Sequence, residues 1–353
     1  MTLFLLLLYI SSVEANKESL CSDELDCRID EALEDTTKLH KLYQDYRVKH
    51  GVVHRKLETS SRVKLFRKFL VEVQALRRMQ VPWTAGITHF AHMTQCEQDR
   101  EHGVNVTELE QSRKEHNNRM LMDPSLDPDH SRLYAPSEFD WRSRGAVTEV
   151  HHQIGGTCWV HAAVGVLEAQ LMIVSGKLKE LSTQEIIDCS HEKKKNEGGL
   201  PSHAWSYIKT TSHRLGLRDD IKDREVNKPC KYTHKRNGLK GYRIKAIRYP
   251  EASENQVITV LSRHSPLAVV INFKGSGLKS YKRGPYDWSI MPCSSKSLHA
   301  MLMVGYDKKL FFIKNSWGSD WGNEGYLWWL RGIHGHNCDL FRWQSYAELE
   351  KET

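Results

Sequence analysis

The stretch Gln153-Ile154-Gly155-Gly156-Thr157-Cys158-Trp159-Val160-His161-Ala162-Ala163 sets one cysteine at the head of an apolar run. Residues 158–176, closing on Gly176, read as a helix, which puts Cys158 at its N-terminus. The first N–H groups of a helix lack intrahelical partners and carry partial positive charge, so they stabilise a thiolate and lower its pKa from about 8.5. The Gly155-Gly156 pair lets the backbone come close to a substrate. A cysteine here also suits a core, where it is a small buried apolar residue. This stretch alone leaves both readings open.

Two later stretches decide between them. Ser297-Leu298-His299-Ala300-Met301-Leu302 places a histidine at the start of an apolar strand. Lys314-Asn315-Ser316-Trp317-Gly318-Ser319-Asp320-Trp321-Gly322-Asn323-Glu324-Gly325-Tyr326 follows the next strand, so His299 and Asn315 come 141 and 157 residues after Cys158. In motif and spacing the chain resembles the papain-like cysteine peptidases, nearest in pattern to the cathepsin L type. The resemblance is strong from about Tyr134 to the C-terminus and weaker over residues 39–95.

It implies a division of labour. Cys158 is the nucleophile, His299 holds it as a thiolate and later protonates the leaving amine, and Asn315 orients the imidazole while Trp317 shields that bond. Gln153 and the Cys158 N–H form the oxyanion hole. Gly198, Gly199, Leu200, Pro201, Val270, Ala300 and Trp343 line the substrate subsites, with Trp343 at the floor of the main pocket. Apolar walls and an indole floor favour Val, Pro or Leu over Phe and Tyr, and leave an entering Arg without a carboxylate.

Residues 3–10 form an apolar run too short to span a bilayer, and Val13-Glu14-Ala15 offers a cleavage site, so 1–15 reads as a signal peptide. That places the chain in the secretory pathway, lysosomal or extracellular, with no stable membrane insertion. Its 353 residues, 39% hydrophobic, suit two or three globular units. The net charge of +7 is spread along the chain without a basic, aromatic-interleaved patch, which argues against nucleic-acid binding. No cofactor is implied. His151-His152 and His334-Gly335-His336 lack a completing carboxylate or thiol, so no metal site is expected. The expected partners are peptide or protein substrates and the chain's own propeptide, acting on a monomer.

Residues 29–79 read as two helices separated near Gly51, with Val63, Phe66, Leu70, Val73 and Leu76 on one face. Glu58, Arg62 and Phe66 match three positions of the family's inhibitory pro-domain helix, and residues 86–94 resemble its following element. In that element, His92 stands where relatives carry an acid thought to loosen the pro-domain when protonated. Residues 103–134 are polar and interrupted by proline, with a glycosylation sequon at Asn105, and read as a linker that in the resembled family runs through the cleft in reverse. A mature start between about Leu133 and Pro136 divides the chain into a propeptide over 16–134 and a peptidase domain over 135–353.

Within the peptidase domain, Ser182-Thr183-Gln184-Glu185 opens a second helix as a capping box. From Tyr242 onward, branched and aromatic residues recur as strands do. The fold class is therefore α+β: a papain-like two-domain fold with a helical left domain, a β-barrel-like right domain and an N-terminal helical pro-domain. By resemblance Cys189 pairs with Cys230 and Cys293 with Cys338, and the family's third bridge is missing at both ends. The pairing of Cys21, Cys27 and Cys96 is not legible.

One departure sets two functions in competition. From Gln153 to Cys158 the chain takes five steps where the family takes six, so the loop that should form the oxyanion hole is one residue short. A misplacement of about 1 Å there can cost on the order of a hundredfold in rate. The alternative to an active endopeptidase is a catalytically weak or inactive papain-like binding protein. Retention of Cys158, His299, Asn315 and Gln153 favours the enzyme.

Overall fold

The computed structural model describes residues 23–53, 58–104, 107–111, 135–190, 198–211, 214–224, 229–230, 237–250, 253–272, 276–291, 293, 298–332 and 337–352. The signal-peptide run, the Asn105 sequon, most of the 103–134 linker, Asn196 and Cys21 lie outside them. Packing divides the chain into two units, Met1–Gln80 and Val81–Thr353.

The first unit holds three helices, α1 (Glu24–Glu34), α2 (Thr36–His50) and α3 (Thr59–Arg78), where the sequence suggested two. Asp35 makes the additional break. It is extended at φ −120° and its carboxylate accepts from the N–H groups of Thr37 and Lys38, capping α2 and ending α1 in one residue. The face expected on α3 is the buried one, and Phe66 packs 5.2 and 5.0 Å from the rings of Tyr43 and Tyr46. Arg77 closes the unit from one end against Asp23 and Asp26. Cys27 is disulfide-bonded.

The second unit opens with β1 (Thr84–Ala85), a 3-10 turn over His89–His92 and α4 (Gln95–Arg100), which Thr94 and Glu97 cap reciprocally. A strand β2 (Phe139–Asp140) leads into three helices, α5 (Cys158–Ser175), α6 (Thr183–Cys189) and α7 (Pro201–Thr210). After β3 (Tyr242–Arg248) and α8 (Glu254–Arg263) come β4 (Leu267–Asn272), α9 (Ser276–Lys279), β5 (Tyr281–Arg283), β6 (Pro285–Tyr286), β7 (Leu298–Tyr306), β8 (Leu310–Lys314), β9 (Tyr326–Leu330) and β10 (Tyr346–Lys351).

The main sheet runs β2-β7-β8-β9-β6, with β4 also paired to β7, so β7 is flanked on both sides and all nine of its residues are buried. Such a strand reads as a continuous apolar run because neither face meets water. Helix α5 is apolar for the same reason: thirteen of its residues are buried, and a Cβ on Gly165 would fall 2.7 Å from Leu302 of β7. The helix therefore presses on the strand that carries His299. Ser182 caps α6 by accepting from the Glu185 N–H. The structure joins Cys189 to Cys230 and Cys293 to Cys338, and among the described residues Cys96 and Cys158 are free thiols.

Candidate active site

Helix α5 and the main sheet bring Cys158 and His299 together although 141 residues separate them. Cys158 is the first residue of α5, fully buried, and its Sγ accepts from the Ala300 N–H at 3.5 Å. Ala300 follows His299 in β7, so the thiol lies against the strand that carries the imidazole. His299 Nε2 lies 2.7 Å from Asn315 Oδ1, and the same oxygen accepts from the Ser316 N–H at 2.8 Å. A backbone N–H can only donate, which identifies that Asn315 atom as the oxygen and makes His299 Nε2 the donor. The neutral imidazole then carries its proton on Nε2 and keeps Nδ1 as the basic nitrogen. Trp317, 1% exposed, stacks on the ring at 4.4 Å and 27° and keeps water from the His299–Asn315 bond.

Gln153 stands at the other end of the site. Its Oε1 accepts from Ser316 Oγ at 2.5 Å, and its Nε2 donates to Gly155 O at 2.6 Å and to Glu101 O at 2.9 Å. The shortened loop turns through Gly155 at φ +62°, a conformation that a Cβ would strain. Thr157 N–H then donates back to Gly155 O at 2.8 Å. Hydrogen bonds hold this loop, as well as packing.

Residues 101–104 lie across the site. Gly103 O accepts from the Gly199 N–H at 2.6 Å, and a Cβ on Gly103 would sit 1.8 Å from Gly156 O. A Cβ on Gly198 would in turn meet Gly103 C at 2.3 Å, so glycine faces glycine on both sides and no side chain fits. The Glu101 carboxyl faces the Gly155 N–H and the Gln153 side chain, and burial pushes its pKa up to about 7. The His102 ring lies 6.2 Å from that of His299 and 6.3 Å from that of Trp317.

This cover decides the charge state of the pair. Burial pushes the Cys158 thiol up to about 11, against the hydrogen bonds from Ala300, Gly103 and Trp159 that favour the thiolate. Burial likewise pulls His299 down to about 4, although its bond to Asn315 works the other way. With the segment in place, the site therefore holds a neutral thiol and a neutral imidazole, and desolvation outweighs the helix N-terminus.

The residues expected to bind substrate divide into groups. Gly199 meets the pro-segment directly, and Trp159 lies 2.7 Å from where a Gly199 Cβ would be. Leu200 and Pro201 are buried at the start of α7, and Val270 and Ala300 are directly paired between β4 and β7. Trp343 is half-buried, with the Arg342 guanidinium 4.6 Å above its ring, a contact that the sequence did not suggest.

Behind the site a further link went unread. Lys314, the residue before Asn315, donates to Thr148 Oγ1 at 3.0 Å, and Thr148 donates to Glu168 Oε2 of α5 at 2.6 Å. Beside it lies a cavity of about 30 Å³ that His161 also lines, and burial pulls His161 down to about 3. Glu101, His102 and Glu168 carry no local signal, and Lys314 and Ser316 stand in the motif around Asn315 without any sign of these contacts. Gly103, an isolated glycine in a polar stretch, offered the one hint. Among the described residues no cluster of metal-ligating side chains occurs.

A thiol at a helix N-terminus beside an imidazole that is oriented by an amide defines a site for nucleophilic acyl transfer. The sequence profile described as "Papain family cysteine protease" matches residues 135–347, more than half of the chain. The chain belongs to the papain family of cysteine proteases. It is 32% identical to cathepsin F of Mus musculus over 307 residues, covering 84% of this chain and 63% of that protein. It is 33% identical to cathepsin S of Mus musculus over 231 residues, covering 62% of this chain and 66% of that one. The chain thus spans just under two thirds of the length of these curated relatives. Among solved structures, the Amb a 11 cysteine protease, a major ragweed pollen allergen, in its proform superposes with a TM-score of 0.74 at 26% identity, covering 90% of this chain and 96% of the other.

Proposed function

We propose that the chain is the zymogen of a cysteine endopeptidase that cleaves peptide bonds through Cys158, His299 and Asn315. The observation that carries this reading is the convergence of Cys158 Sγ on the strand of His299, with the imidazole donating from Nε2 to Asn315 Oδ1. Once residues 101–104 leave, water reaches the pair and the desolvation that keeps both groups neutral is relieved, so the proton passes from Sγ to His299 Nδ1. The thiolate attacks the scissile carbonyl, and the Cys158 N–H and Gln153 Nε2 stabilise the oxyanion. His299 returns its proton to the leaving amine, and water then hydrolyses the thioester with His299 as base.

The reading of a catalytically weak binding protein rests on the short loop before Cys158. Against it, Gln153 Nε2 reaches a carbonyl oxygen in the cleft, that of Glu101, at 2.9 Å, which is what an oxyanion donor must be able to do. The solved ragweed relative is a proform, which supports reading residues 16–134 as an inhibitory propeptide and 135–353 as the peptidase domain. The apolar run at residues 3–10 and the Asn105 sequon support passage through the secretory pathway, to a lysosomal or extracellular destination, as a monomer acting on peptides or proteins. The apolar walls at Leu200, Pro201, Val270 and Ala300, with Trp343, support preference for Val, Pro or Leu in the main pocket.

The test is hydrolysis of a peptide library by wild type and Cys158→Ala, each freed of its N-terminal segment by the same added protease, which is then removed. The wild type should turn over, with an acid limb well below pH 6, and the variant should not, at unchanged far-UV circular dichroism. Hydrolysis that survives in Cys158→Ala would rule out the mechanism. Peptide binding without turnover by the wild type would establish the binding protein instead.

A further inference from the structure

Asn315 and His161 both line the cavity of about 30 Å³ behind the reacting groups. Asn315 is 3% exposed, and its amide is only half used. Oδ1 accepts from His299 and Ser316, whereas Nδ2 is buried and meets no acceptor among the described residues. His161 stands one turn beyond Cys158 on α5, and its ring hydrogen-bonds no group among the described residues. A buried N–H without an acceptor is costly, and native proteins meet that need with a protein group or an ordered water.

We propose that His161 is a positioning residue for Asn315, acting through one water molecule that the cavity holds between the imidazole and Asn315 Nδ2. This role rests on the reading of Asn315 as the group that orients His299 for catalysis.

Room and polarity both fit a water. About 10–15 Å³ of such space suffices for one, so the cavity takes one water, or two at most, and no larger ligand. The two cations at its wall are each matched by a carboxylate: Arg218 by Asp223 at 2.6 Å, and Lys314 by Glu168, with Thr148 bridging them. Nothing there calls for an anion, and a neutral occupant leaves the charges balanced. Asn315 Nδ2 donates to the water, and the water donates to the basic nitrogen of His161. Lys314, with one ammonium N–H spent on Thr148, has others to give it a third bond.

The imidazole accepts only while it is neutral. Burial pulls His161 down to about 3, against the Asp223 carboxylate and together with His151, Arg218 and Lys314. One ring nitrogen therefore keeps its lone pair through the neutral and mildly acid range.

The link fixes which way the amide points. Turned over, Asn315 would present its NH₂ to the His299 Nε2–H and the Ser316 N–H, setting donor against donor. The Ser316 N–H opposes that turn from one end, and the water on His161 opposes it from the other. Helix α5 thus carries the nucleophile at its first residue and, one turn on along the same face, a brace for the group that orients its base.

The full chain carrying Cys158→Ala, isotopically labelled at asparagine, reads the link without turnover. In nuclear magnetic resonance the Asn315 side-chain amide should exchange magnetisation with a long-lived bound water. His161→Phe fills the cavity with a ring that accepts no hydrogen bond, and should abolish that transfer at unchanged far-UV circular dichroism. Chains with Cys158 intact, freed of the N-terminal segment by an added protease that is then removed, read the consequence. The net worth of one hydrogen bond corresponds to about two- to tenfold in rate, so His161→Phe should lower kcat by about that factor with KM unchanged. His161→Gln, whose side-chain oxygen accepts, should recover most of the loss. A missing water signal in the parent chain, or its survival in His161→Phe, overturns the link. An unchanged kcat in His161→Phe, or equal losses in natively folded His161→Phe and His161→Gln, overturns the positioning role. A wild type that binds peptides without turnover defeats the endopeptidase reading, and the water signal then decides the link by itself.

Discussion

The two walls of the cleft are built differently. On the sheet side, His299 pairs with Ile271 and Ala300 with Val270 across the β4–β7 ladder, and Leu302 pairs with Lys314 across β7–β8. Backbone hydrogen bonds on both flanks of β7 thus bring His299 next to Asn315, and Trp317 closes over them. On the helix side only Cys158 belongs to a regular element. Gln153 sits in an irregular loop and is positioned by Ser316, which belongs to the opposite wall, and by the Gly155 carbonyl. A ladder keeps its geometry when one contact is lost, because many bonds share the constraint, whereas a loop held by a few bonds follows each of them. The sheet wall is therefore the rigid template, and the Gln153 side is held against it.

Asn315→Ala removes the side-chain hydrogen bond that orients the His299 ring on the rigid wall and should have the largest effect. Without the Oδ1 acceptor, nothing selects the Nε2–H tautomer, and kcat should fall by roughly a hundredfold or more with KM little changed. A loss below about threefold in steady-state kinetics would show that stacking on Trp317 alone orients the ring. Gln153→Ala tests the loop side. Removing a well-placed oxyanion donor costs about 10²–10³ in kcat, and here the loss should stay below about a hundredfold because Nε2 is shared with the Gly155 carbonyl. A larger loss would mean that the short loop forms a full oxyanion hole. Ser316→Ala should cost least, about two- to fivefold in kcat, since it only releases Gln153 Oε1. In the Gln153→Ala background it should cost nothing more, and additive losses would break the link drawn between the walls.

Local pattern made much of the architecture legible. The apolar run after Cys158, the cap at Ser182 and the branched residues of β4, β7 and β8 each follow from periodicities that adjacent residues impose on a helix or strand. Asp35 was also legible in principle, as an acid immediately before Thr36-Thr37, yet the stronger Gly51 break drew the boundary to itself. The apolar α3 face hid nothing, because a stripe at helical spacing reports its own burial.

The sequence by itself determined the chemistry on offer: one thiol at a helix N-terminus, one histidine at the head of a buried strand, one asparagine after the next, and a loop one residue short before the thiol. Only the tertiary structure decided what state that chemistry is in. It laid Glu101, His102 and Gly103 across the site, ringed Trp317 with four histidines, and covered Trp343 with Arg342. It also reversed the expectation for Cys158, whose pKa burial pushes up to about 11 despite its helix N-terminus. The reason is physical. Helix dipoles and periodicities arise among neighbours in sequence, whereas desolvation depends on which atoms enclose a group, and here they come from the pro-segment and β7, at least fifty residues away along the chain.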